Sequence, residues 1–188
     1  MGIDQVMKRA VFLDRDGVLN RAIVRDGKPY PPTSLNELEI LPGVADACRD
    51  LQSAGFLLIM TTNQPDVARG NQKKEVVESL NRAVGDSLKL DDVRVCYHDD
   101  ADRCTCRKPA PGLLLQAAAD WQIDLPGSFM IGDRWKDIEA GHRGGCRTVF
   151  VDHGYAESVP ENFDLRVSAL PDAIQWILES NKRSEENQ

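Results

Sequence analysis

Short apolar runs along the chain alternate with longer segments in which apolar residues recur at helical spacing. The five strongest runs begin at Ala10, Phe56, Val93, Phe129 and Thr148, and each leads into polar or turn-forming residues. A short apolar run that ends in this way predicts a buried strand. Because helical segments separate the runs, the pattern predicts an α/β fold with a Rossmann-like, doubly wound and mostly parallel sheet.

The predicted helices cover residues 44–54, 71–87, 112–120 and 137–144, and a last helix begins at Pro171. Residues 21–41 lack sustained periodicity and contain several prolines, which predicts a long loop. A short edge strand is expected at Leu165–Val167. No segment is long enough for a large cap domain, so we predict a single domain over residues 1–180 and a disordered, charged tail over 181–188.

Composition narrows the possible classes of function. Hydrophobic residues make up 41% of the 188 positions and charged residues 28%, an ordinary balance for a soluble domain. No apolar run approaches the ~20 residues that span a membrane, and residues 1–10 lack the apolar stretch of a secretory signal. The net charge of −7 argues against a nucleic-acid binder. We expect a cytoplasmic monomer whose partner is neither a membrane nor a nucleic acid.

Two carboxylates, Asp14 and Asp16, follow the first predicted strand directly. Ligands of open α/β sheets bind just beyond the carboxyl ends of the strands. Two carboxylates this close repel each other unless a cation neutralises them, and Mg²⁺ prefers one or two carboxylates together with phosphate oxygens. An acidic turn without a ligand is the simpler alternative.

Four potential metal ligands lie within eleven residues, in the sequence CYHDDADRCTC: Cys96, His98, Cys104 and Cys106. Zn²⁺ takes four Cys or His ligands in closed structural sites. The alternative is a set of unbound thiols and a surface histidine. A zinc ion here would be structural, because four protein ligands leave no open position. Lys108 follows this loop closely, and a lysine held there could neutralise phosphate charge.

The polar segments after the strands resemble the four motifs of the haloacid dehalogenase (HAD) superfamily of aspartate-nucleophile phosphatases. DRDGVLN resembles motif I, the Thr-Asn pair at residues 62–63 motif II, RKPAPG motif III, and GDRWKD motif IV. The zinc loop resembles the branch of that superfamily whose members act on D,D-heptose 1,7-bisphosphate or on histidinol phosphate. The resemblance implies the HAD fold and covers about residues 9–155.

The resemblance also implies roles for individual residues. Asp14 would be the nucleophile and Asp16 the general acid and base, while Thr62 and Lys108 would hold the transferring phosphoryl group. Asp14, Asp16 and Asp133 would bind the catalytic Mg²⁺. The candidate substrate contacts are Asn20, Arg25, Asn63, Gln64, Arg107 and Arg134.

The function implied by the resemblance is a Mg²⁺-dependent phosphomonoesterase with an aspartyl-phosphate intermediate. Its expected substrate is a small sugar bisphosphate, with the C7 phosphate of glycero-manno-heptose 1,7-bisphosphate as the leading expectation. Two alternatives stay open: a phosphatase for histidinol phosphate, and a zinc-stabilised binding module without catalytic activity. Turnover of a generic aryl phosphate with Mg²⁺ distinguishes either phosphatase from the binding module.

Overall fold

A parallel six-stranded sheet lies at the centre of the structure, a computed structural model that describes residues 7–186. The strands in chain order are β1 (Ala10–Leu13), β2 (Ile23–Arg25), β3 (Lys28–Tyr30), β4 (Leu57–Asn63), β5 (Asp92–Cys96), β6 (Phe129–Gly132), β7 (Arg147–Val151) and β8 (Leu165–Val167). The helices are α1 (Val44–Ser53), α2 (Lys74–Leu88), α3 (Gly112–Trp121), α4 (Trp135–Gly144) and α5 (Leu170–Glu186). The alternation confirms the predicted α/β class.

The order of the strands in the sheet is β5-β4-β1-β6-β7-β8, and all neighbours are parallel. The chain first adds β4 and β5 on one side of β1, and then returns to add β6, β7 and β8 on the other. The connections that follow β1 and β6 therefore leave the sheet in opposite directions. Such a switch point opens a crevice at the carboxyl edge of the sheet, where ligands of this class of fold bind.

Helices cover both faces of the sheet, which explains why the strand sequences are continuously apolar. All four residues of β1 are buried. Val11 and Leu13 pack into a core with residues of α1 and α5, whereas Ala10 and Phe12 point to the opposite face and pack against α3. β1 is thus fixed on both faces and both edges, and it gives a rigid base to the residues that follow it.

The segment 21–41 is more ordered than the predicted loop, because it contains an antiparallel hairpin of β2 and β3. The turn residues Asp26 and Gly27 have φ angles of 51° and 73°. Positive φ at both positions is typical of the two-residue turns that match the twist of a hairpin, and Asp-Gly is a strong sequence signal for them. Three-residue strands were too short to give a visible period, so the prediction of a loop without strands is wrong here.

The last helix is longer than the sequence predicted. α5 continues to Glu186, so residues 181–186 are helical and the prediction of a disordered tail is wrong for them; Asn187 and Gln188 lie outside the described residues. The predicted edge strand is confirmed as β8. Within residues 7–186, no helix is both long enough and apolar enough to cross a membrane.

Candidate active site

A cleft opens at the carboxyl edge of the sheet, over the ends of β1, β4 and β6, and the β2–β3 hairpin forms part of its wall. The residues that line it are Asp14, Asp16, Lys28, Pro29, Tyr30, Pro31, Thr62, Asn63, Gln64, Pro65, Asp66, Arg69, Lys108, Asp133, Arg134, Lys136, Asp137 and Glu157. Eight residues of the predicted site are among them: Asp14, Asp16, Thr62, Asn63, Gln64, Lys108, Asp133 and Arg134.

Lys108 is buried at the base of the cleft. Its ammonium group donates to Asp14 Oδ1 at 2.7 Å and to the Thr61 carbonyl at 2.7 Å, and it lies 2.6 Å from Asp137 Oδ1. Burial opposes the charge of this lysine, but the carboxylates of Asp137 and Asp14 outweigh that cost and raise its pKa. Lys108 is therefore a fixed cation at the point where β1, β4 and β6 end.

The backbone of Lys108 is held by Asn63, the last residue of β4. Asn63 Nδ2 donates to the Lys108 carbonyl at 2.9 Å, and the Lys108 N–H donates to Asn63 Oδ1 at 3.1 Å. This paired contact ties the loop after β5 to the end of β4. Asn63 lines the cleft as predicted, but both ends of its amide are engaged with the protein.

Asp14, Asp133 and Asp137 form a cluster in which one carboxylate oxygen of each residue lies within 4.8 Å of the other two. Burial raises the pKa of Asp14 to about 6, and burial together with the charge of Asp14 raises the pKa of Asp133 well above its usual value. Neither carboxylate oxygen of Asp133 has a hydrogen-bond partner among the described residues. Three buried carboxylates and one ammonium leave an excess of negative charge, which a divalent cation would balance.

Asp137 is the third carboxylate of this cluster, although the resemblance had assigned the third magnesium ligand to Asp16. It lies in the first turn of α4, where its Oδ2 accepts a hydrogen bond from the N–H of Arg134 at 3.1 Å. Asp137 therefore caps the helix with one oxygen and holds Lys108 with the other.

Asp16 is not one of the three carboxylates of this cluster, and its role as a magnesium ligand stays a prediction. Arg15 donates to its two oxygens at 3.1 and 2.9 Å, Asn20 Nδ2 to Oδ1 at 3.0 Å, and Gln64 Nε2 to Oδ2 at 3.0 Å. The carboxylate is fully oriented yet 16% exposed, and it lines the cleft. This arrangement suits a group that exchanges protons with a bound molecule.

Gly17 permits the close approach of the loops after β1 and β6. A Cβ atom at this position would lie 1.9 Å from Asp133 Oδ2, and its φ angle of 87° is one that side chains rarely adopt. The carbonyl of Gly17 also lies 2.7 Å from His153 Nε2. His153 belongs to the segment that follows β7, so this contact brings a third loop to the one after β1.

Thr62 and Gln64 lie at the end of β4 and line the cleft, as predicted. Gln64 Nε2 donates to the Thr62 hydroxyl oxygen at 2.9 Å, so the hydroxyl proton of Thr62 is free to point at a bound anion. Gln64 Oε1 has no partner among the described residues.

The other predicted substrate contacts lie outside the cleft or are engaged within the protein. Asn20 is fully buried and holds Asp16. Arg25 does not line the cleft; it lies over the ring of Tyr30 and borders a neighbouring cavity. Arg107 does not line the cleft, because its guanidinium donates to Asp100 and to the His98 carbonyl. Arg134 lines the cleft, paired with Glu157 at 2.6 and 2.8 Å.

The four predicted zinc ligands come together in one cluster, Cys96, His98, Cys104 and Cys106. Their donor atoms are separated by 3.3 to 3.7 Å. A tetrahedral site with metal–sulfur bonds of about 2.3 Å has edges of about 3.8 Å, so the spacing and the donor set fit zinc. The cluster lies beside the loop of Lys108, only two positions from it in the chain.

Comparison with known proteins gives a consistent set of relatives. Residues 105–173 match the model of the HAD-hydrolase-like family. A D-glycero-beta-D-manno-heptose-1,7-bisphosphate 7-phosphatase of Rhodopseudomonas palustris is 40% identical over 148 residues, 72% of this chain and 79% of that protein. The protein of the same name from Escherichia coli is 32% identical over 183 residues, 91% of this chain and 88% of that protein.

A solved structure gives the same indication for the fold. The D,D-heptose 1,7-bisphosphate phosphatase of B. bronchiseptica, crystallised with magnesium and phosphate, superposes with a TM-score of 0.76 at 28% identity. The match covers 91% of this chain and 98% of that one.

Proposed function

The chain belongs to the HAD-like hydrolases and is a phosphatase of that family, and we propose that it removes the C7 phosphate of D-glycero-D-manno-heptose 1,7-bisphosphate. Relatives that cover most of the chain carry this activity in their names. The observation that carries the chemistry is the buried carboxylate of Asp14, which Lys108 holds by one oxygen at the base of an open cleft.

Asp14 is the nucleophile in this proposal. Lys108 engages Oδ1, which leaves Oδ2 to attack phosphorus. The bond from phosphorus to the C7 oxygen breaks, its electron pair stays on that oxygen, and Asp16 supplies the proton. The product on the protein is an aspartyl phosphate. Asp16, now a carboxylate, then takes a proton from water as the water oxygen attacks phosphorus, which releases phosphate and regenerates Asp14.

Fixed charges around the phosphoryl group lower the barrier to both displacements. Lys108 and the hydroxyl of Thr62 face the oxygens of the group, where negative charge accumulates in the transition state. Mg²⁺ held by Asp14 and Asp133 would supply further positive charge there. Asp133 suits this part because its oxygens are buried and unpartnered, whereas Asp137 is engaged by Lys108 and the helix.

The four-ligand cluster would hold one structural zinc ion. Its contribution is to fix the loop that delivers Lys108, since Cys106 lies two positions before the lysine. Residues 7–186 contain one six-stranded sheet with helices on both faces, and the only other sheet in this range is the two-stranded β2–β3 hairpin, which supports the prediction of one domain.

The phosphate that is not cleaved needs a second cation at the mouth of the cleft. Arg69, Arg134 and Lys136 line the cleft, but each has a carboxylate partner within 4.0 Å: Asp99, Glu157 and Asp100. Lys28 on the hairpin lines the same cleft, and no carboxylate of the described residues pairs with it. We therefore assign the second phosphate to Lys28, with Arg134 beside it.

Phosphate release with Mg²⁺ tests this function directly. The substrates are both anomers of heptose 1,7-bisphosphate and histidinol phosphate, measured side by side. We expect the highest kcat/KM for one heptose anomer. A preference for histidinol phosphate would overturn the substrate assignment, and the absence of turnover with every substrate, including an aryl phosphate, would overturn the assignment of phosphatase activity.

The variant Asp14→Asn tests the nucleophile. It keeps the volume of the side chain and removes the anionic oxygen, so we expect turnover to disappear while the circular dichroism spectrum stays the same. Retained turnover would remove Asp14 from this role.

A further inference from the structure

Arg15 is completely buried, although it lies between two residues of the cleft. Its guanidinium divides its donors between two partners. Nε and Nη2 donate to the carboxylate of Asp16 at 3.1 and 2.9 Å, and Nη1 donates to Asn81 Oδ1 at 2.6 Å. Asn81 belongs to α2 and is itself only 4% exposed.

A guanidinium is planar and rigid, so fixing one edge fixes the direction of the other. Asn81 holds the edge that points into the protein, and the opposite edge presents a two-pronged contact to Asp16. Without Asn81, Asp16 would be the only side-chain acceptor for Arg15 within residues 7–186, and the guanidinium could rotate together with that carboxylate. Arg15 and Asp16 could then rotate together, a motion that the contact with Asn81 prevents.

Asn20 and Gln64 also donate to Asp16, but each reaches one oxygen only. Arg15 contacts both oxygens and therefore sets the plane of the carboxylate. The orientation of this plane matters because a carboxylic acid donates its proton in the plane of the carboxyl group. A small rotation of that plane increases the distance between the proton and the leaving oxygen. The contacts therefore connect Asn81 of α2, through Arg15, to the carboxyl group of Asp16 that transfers the proton.

We propose that Asn81 is a positioning residue for proton transfer, which acts on Asp16 through Arg15 and does not touch the substrate. The inference rests on the proposed role of Asp16 as the acid. Its consequence is a dependence on the leaving group. A substrate whose leaving oxygen is a poor anion needs the proton of Asp16 as the P–O bond breaks, whereas a substrate that leaves as a stable phenolate needs it much less.

The test compares phenyl phosphate, a poor leaving group, with 2,4-dinitrophenyl phosphate, a good one, on the full-length protein with Mg²⁺. In Asn81→Leu, which has a similar volume and no acceptor, we expect kcat/KM for phenyl phosphate to fall at least about tenfold further than for the dinitrophenyl ester. The loss should be in kcat, with KM unchanged. Asn81→Asp keeps an acceptor for Arg15 and should restore kcat for phenyl phosphate.

Two controls separate positioning from other effects. Val84→Ala removes buried packing from the same helix outside the Arg15 contacts, and it should change both substrates by the same factor. Asp16→Asn measures the acid role itself, so a failure of the proposed mechanism appears there as an equal loss with both esters. If Asn81→Leu does not fold, Asn81→Ala withdraws the acceptor without adding apolar bulk and gives the same comparison.

The comparison applies when Asp16→Asn lowers kcat/KM more for phenyl phosphate than for the dinitrophenyl ester. In that case, a folded Asn81 variant whose kcat/KM falls equally for both esters, or does not fall, would overturn the inference. A larger loss with phenyl phosphate that Asn81→Asp reverses would support it.

Discussion

Lys108 Nζ and Asp14 Oδ1 lie 2.7 Å apart, although the two residues are 94 positions apart in the chain. The contact joins the end of β1 to the loop after β5, and it is buried from solvent. Pairing with an ammonium keeps one oxygen of a buried carboxylate ionised and fixed in direction. The same cation is placed to face the phosphoryl group that the other oxygen would attack.

Replacement of this lysine should therefore damage both activity and stability. We expect Lys108→Met to lower kcat by about 10²–10³, the usual effect of removing one fixed charge from a transition state. The free energy of unfolding should fall as well, because Asp14 and Asp137 stay buried without their partner. Steady-state kinetics and urea denaturation check the two effects. Lys89→Met, at the end of α2 and outside the cleft, is the matched control; an equal loss there would contradict the assignment.

The stability of the Mg²⁺-free protein should depend on pH through the buried carboxylates. The pKa of Asp14 is raised to about 6 and that of Asp133 is raised further above its usual value, so both protonated forms favour the folded state. This contribution is complete below pH ~4 and is lost as the pH rises through about 6 and beyond. The wild-type protein should consequently lose stability over this range when no Mg²⁺ is present.

Asp133→Asn isolates this effect because it removes one of the opposed charges. At pH 8 without Mg²⁺, we expect its Tm to exceed that of the wild type by at least roughly 2 °C, the shift that about 1 kcal/mol gives in a chain of this size. The difference should shrink toward pH 4, and Mg²⁺ should raise the Tm of the wild type only. Buffers without chelator leave the zinc ligands undisturbed. A variant that is less stable than the wild type at pH 8 would refute this account.

The Cys and His cluster should hold one zinc ion per chain, and its loss should reach the active site through Lys108. We expect Cys106→Ser to lose the ion and to lower kcat at least about tenfold, because the loop that carries the lysine is no longer fixed. Elemental analysis of protein purified without chelator measures the ion. Cys146→Ala, which alters a buried cysteine outside the cluster, should keep both the zinc and the activity. Zinc-free wild-type protein with full activity would contradict the structural role.

Lys28 should distinguish a bisphosphate from a monophosphate. We expect Lys28→Ala to raise KM for heptose 1,7-bisphosphate about tenfold, which corresponds to the loss of about 1.4 kcal/mol of binding. Turnover of an aryl phosphate, which has no second phosphate, should stay the same. Lys73→Ala, outside the residues that line the cleft, is the control. Equal effects on the two substrates would remove Lys28 from the recognition of the second phosphate.

The parts of the site that follow strands were predictable from the sequence alone. Asp14, Thr62 and Asp133 each lie within two positions of the end of an apolar run, and the parallel order of the strands brings the three strand ends to one edge of the sheet. The zinc ligands were predictable for another reason: all four lie within one short loop, so their proximity does not depend on the rest of the fold.

Contacts between side chains that lie far apart in the chain could not be predicted from the sequence. Asp137 caps its helix through a contact three residues away in the chain, but its second contact depends on where the loop of Lys108 arrives. The resemblance implied a substrate contact for Arg107, but its guanidinium pairs with Asp100, a residue of the zinc loop. Asn81 lies in the middle of a helix, and only the tertiary packing of α2, which contacts β5, makes it a partner of Arg15.

The place of β1 between β4 and β6 also has a consequence during synthesis on the ribosome. β1 can pair with β4 early, but its second edge waits until Phe129 and the rest of β6 have been made. Until then, a nascent chain exposes the edge of its most buried strand, and such edges invite pairing with other chains. Asp133 is added at the same late moment. Most of the polypeptide must therefore leave the ribosome before the chain is protected from aggregation. The carboxylates proposed to bind Mg²⁺ come together in the same step.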